Sequence, residues 1–196
     1  MSRRIGLAFV AIILAGGASP ALAAMFTYSV VLSGPAESPP NASPGIGWAI
    51  VDYEDAAHTL RVRVTFSGLI GTTTSAHIHA PTEIADAGTA GVATTTPTFV
   101  GFPLGVTSGV YDETLDLTHA SSWNPSFINA NGGTPEGAEA ALAAAMAARK
   151  AYVNVHTTAF GAGEIRGFLP EPGTLILLGT GAAVMLRRRR EDASRP

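Results

Sequence analysis

The chain has 196 residues, no cysteine and a formal charge of −3, so its fold rests on burial without disulfides. The basic residues gather at the two ends: between residues 24 and 170, Arg61, Arg63, Arg149, Lys150 and Arg166 stand against twelve acids, a formal −7. An acidic body repels phosphate backbones, which excludes nucleic acid as a partner, and about 147 residues bury enough surface for one core.

Arg3 and Arg4 precede the apolar run Ile5 to Gly17, and Ala21, Leu22 and Ala23 place small residues where a signal peptidase reads. Residues 1–23 are therefore expected to be a signal peptide. Phe26 to Leu32 alternates as an opening strand, and the proline-rich stretch Ser33 to Gly45 is a loop that cannot be helical. Gly47 to Tyr53 and Leu60 to Phe66 form a hairpin, with Leu60, Val62, Val64 and Phe66 inward and Arg61, Arg63 and Thr65 outward. Trp48 is expected at the core or its rim. His58, Glu54 and Asp55 fall in the connecting turn, and with Asp52 they read as a solvated surface.

Thr72 to Ala80 is the next strand. Glu83 to Thr96 has no clear period and reads as a mobile connection; Val106 to Tyr111 and Asp112 to Leu117 read as two short strands around a turn, followed by a polar loop holding His119. One helix is expected over Pro135 to Lys150: Thr134 caps it, Pro135 suits the first position, and Ala138, Leu142 and Met146 form an apolar line. Being mostly alanine, it has little bulk to bury and belongs at the edge of the β-structure. Tyr152 to Thr157 is a strand, and Glu164 and Arg166 alternate on the next, with Arg166 expected to pair with Glu164 or Asn154. Many short strands with Gly and Pro turns specify an all-β fold, a Greek-key β-sandwich or barrel with one inserted Ala-rich helix.

The histidines carry the chemistry that is visible. His77 and His79 are two residues apart and share one face of their strand, while Ala76, Ile78 and Ala80 take the other. His156 alternates with Val155 and Thr157 on a second strand. If the two strands are neighbours, three imidazoles converge, and neutral imidazoles so placed can hold one copper or zinc ion. The competing account is three structural histidines bonded to backbone or carboxylate groups. There is no cysteine nucleophile, G-x-S-x-G elbow, phosphate loop or H-E-x-x-H helix. A binding or structural module is therefore favoured over an enzyme.

At the far end, Pro170, Glu171 and Pro172 lead into the apolar run Thr174 to Leu186 and then Arg187 to Arg190. The run is shorter than the roughly 20 residues of a usual bilayer span, but the flanking arginines extend its reach and set its orientation, keeping the body of the chain outside. Residues 170–196 resemble the PEP-CTERM sorting signal of Gram-negative bacteria. That resemblance implies an exosortase-type processing enzyme as a partner, export, and initial anchoring in the inner membrane.

Two blocks resemble the CHRD domain: Ser75 to Pro81, and Tyr152 to Thr157 followed by Gly163 to Gly167, with the Gly68-Leu69 turn and Asn131 to Thr134 fitting the same pattern. The likeness spans 24–169. It implies no established enzymatic activity; together with the sorting tail, an exported module of the cell envelope or extracellular space is expected, with extracellular matrix or exopolysaccharide as candidate partners. A fainter likeness is to copper/zinc superoxide dismutase, where a His-x-His strand, a later Val-His strand and a Gly-rich turn ending in Arg frame the copper. His77, His79, His156 and Arg166 occur here in that order, with Arg166 at the rim, and imply a copper-dependent oxidoreductase as the alternative. The bridging histidine, the zinc ligands and the disulfide of that pattern have no counterpart in the sequence.

Overall fold

The structure, a computed structural model, describes residues 24–172. The expected signal peptide and the apolar and arginine-rich parts of the sorting tail lie outside the described residues. Among the described residues, no helix is long and apolar enough to cross a membrane.

Seven strands form one antiparallel sheet: β1 (Met25–Ser33), β2 (Ile46–Glu54), β3 (Thr59–Ser67), β4 (Thr73–His79), β5 (Gly109–Asp116), β6 (Tyr152–Thr157) and β7 (Ile165–Phe168). Their order across the sheet is β4-β6-β7-β1-β2-β3-β5. The expected alternation sets the register, with Val51 opposite Val62 and Ala49 opposite Val64, so that each inward row buries against the core. The free edge of β4 is capped by the long connection to β5. Ala80 N donates to Gly91 O, Ala93 N to Ile78 O, Phe99 N to Ala76 O and Thr73 N to Val106 O. This connection lets the sheet curl into a half-barrel without an open edge at β4. The all-β class with one inserted alanine-rich helix is thus as the sequence implies.

Helix α1 (Pro125–Ala130) and helix α2 (Pro135–Ala147) follow β5. Thr134 caps α2 as expected, accepting from Gly137 N at 3.2 Å, and Ala138, Leu142 and Met146 are fully buried.

Several local expectations are corrected. Residues 109–116 are one continuous strand, because β3 offers an unbroken partner from Thr59 to Phe66. The polar loop after it contains α1, and Trp123 is buried, its indole N–H donating to Leu117 O at 2.9 Å. The stretch 83–96 is pinned by bridges from Val92 to His79 and from Thr94 to Trp123. Trp48 faces outward and is about half exposed. Half-exposed His58 is not merely solvated: its Nδ1 lies 2.9 Å from Glu139 on α2, whose carboxylate also accepts from the Tyr53 hydroxyl. His119 is exposed, as expected.

Candidate metal centre

Strands β4, β6 and β7 are adjacent, and their two faces differ in kind. Ala76, Ile78, Val153, Val155 and Ile165 point into the core with no exposed surface. The opposite face carries three cross-strand rows: Ser75 with His156; His77 with Asn154 and Arg166; His79 with Tyr152 and Phe168. Loops roof this face, so His77 and His79 are buried and His156 is partly buried.

The roof fixes each imidazole. A backbone carbonyl can only accept, so any ring nitrogen bonded to one carries the proton. His77 Nε2–H donates to Pro97 O at 2.6 Å, His79 Nδ1–H to Ala90 O at 2.9 Å, and His156 Nδ1–H to Gly161 O at 3.0 Å. The other nitrogen of each neutral ring is then a lone pair: His77 Nδ1, His79 Nε2 and His156 Nε2. His77 Nδ1 is buried with no hydrogen-bond partner. The Nε2 atoms of His79 and His156 face each other at 3.4 Å, and the ligand atoms of the three residues lie within 4.8 Å of one another.

Protonating a ring is not an easy escape from this crowding of acceptors. Burial pushes all three imidazoles below their ordinary value, His79 to about 4, with the neighbouring histidines and Arg166 adding to the effect there. Three neutral imidazoles therefore cluster with one unprotonated nitrogen each, and the other N–H of each ring is held by a carbonyl. Such outer bonds orient metal-ligating histidines. Two nitrogens each about 2.0–2.1 Å from a tetrahedral Zn²⁺ stand about 3.3 Å apart, close to the His79–His156 separation.

Arg166 departs from its expected pairing. Its Nε donates to Ala36 O, its Nη1 to Gly88 O at 2.9 Å, and its Nε lies 3.7 Å from Glu37, while the guanidinium sits 4.8 Å from the Tyr152 ring centre. Tyr152 in turn stacks parallel to His79 at 4.9 Å. Burial raises the Glu37 carboxyl to about 7 despite Arg166. Glu164 is engaged elsewhere: wholly buried, it accepts from Ser43, Thr157 and the backbone of Ile70 and Gly71. Burial works to raise its pKa, but these donors outweigh it and hold the carboxyl below its ordinary range. Elsewhere, a groove of about 350 Å³ beside β5, with His119 and Glu113 on its walls, gathers no convergent ligand set.

The order of these blocks along the chain decides the family: the profile of the CHRD domain matches residues 28–169. The chain belongs to the CHRD domain family. A PEP-CTERM protein-sorting motif matches residues 169–190, directly after the CHRD domain. No curated protein and no solved structure matches the chain. The sorting motif implies an exported protein of the cell envelope, processed through an exosortase.

Of the residues singled out from sequence, His77, His79 and His156 come together on the CHRD domain's roofed face, and Arg166 lies behind Tyr152. Sequence reasoning missed Tyr152 as a stacking partner and Glu37 as the acid beside Arg166. The two-residue period does place Tyr152 on the His156 face; nothing in the sequence marks the carbonyls of Ala90, Pro97 and Gly161 as proton acceptors.

Proposed function

We propose that this CHRD domain is an exported binding module of the cell envelope that holds one copper or zinc ion through His77 Nδ1, His79 Nε2 and His156 Nε2. The observation that carries the reading is the cluster of three imidazoles with ligand nitrogens within 4.8 Å of one another, each ring spending its other N–H on a backbone carbonyl. Three structural histidines would not need to leave a buried Nδ1 without a donor. Three imidazoles with no thiolate suit Cu²⁺ or Zn²⁺. Before processing, the apolar run and Arg187 to Arg190 anchor the chain in the inner membrane with the arginines inside; matrix or exopolysaccharide is the surrounding in which the processed domain acts.

The alternative, a copper-dependent dismutase-like oxidoreductase, would use the same histidines. Arg166 weakens it: at 4% exposed and bound to two carbonyls, it is not free to draw in a substrate anion. The test uses the exported protein without a histidine tag, loaded with Cu²⁺ or Zn²⁺. One metal per chain in wild type, lost in His77→Ala and His156→Ala, is the expected result. No metal in wild type overturns the reading, and superoxide consumption by the copper form transfers support to the alternative.

A further inference from the structure

We infer that a metal at His77, His79 and His156 keeps one coordination position open to a small anion from solvent. The inference rests on the metal-binding reading above and adds the class of ligand the site exchanges.

No carboxylate or thiolate joins the three histidines among the described residues. The carbonyls of Pro97, Ala90 and Gly161 are committed to the far N–H groups of the rings. Glu37, the buried acid under the same roof, has its Oε2 3.7 Å from Arg166 Nε and is not among the groups that cluster with the three histidines. Neutral imidazoles leave a bound dication with its whole charge, and a buried charge without a counter-charge is costly. Three-ligand sites of this kind complete their shell with water, hydroxide or another small ligand.

His77 and His79 are buried, whereas His156 is only partly so, so the site meets solvent on the His156 side, and the roof over the other two rings favours a small anion over a large organic one.

The experiment is an azide titration of the copper-loaded, tag-free exported protein, followed by visible absorption and electron paramagnetic resonance, with copper content measured after desalting. Expected is a saturable azide-to-copper charge-transfer band with altered resonance parameters and copper retained at one per chain. Copper bound at one per chain with no azide-dependent change in either spectrum overturns the inference and leaves the metal-binding reading standing. Failure of wild type to bind copper overturns both readings together.

Discussion

At Arg166, one guanidinium ties together the loop before β2, the loop after β4 and the ring of Tyr152. Gly88, which it holds, is two residues from Ala90, whose carbonyl fixes the His79 tautomer. The Tyr152 hydroxyl donates to that same carbonyl while its ring stacks on His79. Arg166 is thus a positioning residue acting through a loop and a ring. Arg166→Ala should weaken Cu²⁺ binding by about 10–100-fold, the usual cost of losing an outer-sphere support, with one site per chain retained. Arg166→Lys should recover part of the loss, because one donor can still reach a carbonyl, although the planar fork is gone. Competition against a chelator of known affinity measures both. The clustering of the three histidines is legible in the sequence because a two-residue period places side chains on faces. The partners of Arg166 were not, because Glu37 and Gly88 lie in irregular loops far away in the chain, where no period indicates direction.

Among the elements, the join between β7 and β1 is what ties the β4-β6-β7 part of the sheet, with Arg166, to the rest. Register pairs there are few, with Ser33 opposite Arg166, and contact continues because Gly167 lies against β1. A Cβ on Gly167 would sit 2.4 Å from Val31 O and 2.6 Å from Val30 Cγ2. The first is backbone and cannot swing aside, so Gly167→Ala should cost about 1–3 kcal/mol and lower the urea midpoint. Unaltered stability would show that β7 can shift without loss. The β2–β3 hairpin was plain in the sequence because its inner and outer residues differ sharply, Leu60, Val62, Val64 and Phe66 against Arg61, Arg63 and Thr65. Strand β5 was divided wrongly because Asp112, Glu113 and Thr114 look like a turn; all three are exposed, and backbone pairing to β3 supplies what their side chains do not. Helix α1 was hidden for a related reason: a six-residue helix is too short to show a period, and only Asn124 and Pro125 mark its start.

For the molecule as a whole, the roofed face should make stability depend on pH through two opposing terms. His79 has a folded pKa near 4 against an ordinary 6.5. Its contribution is fully present above about pH 6.5 and is lost as the pH falls toward 4, because the unfolded chain takes up the proton first. His77 and His156, also lowered by burial, act in the same sense. Glu37 has a folded pKa near 7 against an ordinary 4.5, so its contribution is fully present below about pH 4.5 and is lost as the pH rises through 7. The shifts of His79 and Glu37 each correspond to a few kcal/mol, on the order of 3, and they have opposite signs in the same window. Acidifying the metal-free protein from pH 7 to 4.5 should therefore cost less in wild type than in Glu37→Gln, which keeps the shape of the acid but cannot take up its proton. His79→Gln should flatten the wild-type profile by removing the largest acid-sensitive histidine. Urea midpoints across that range, with chelator present, measure both slopes. Parallel profiles for wild type and Glu37→Gln would show that Glu37 is not the buried acid that offsets the histidines.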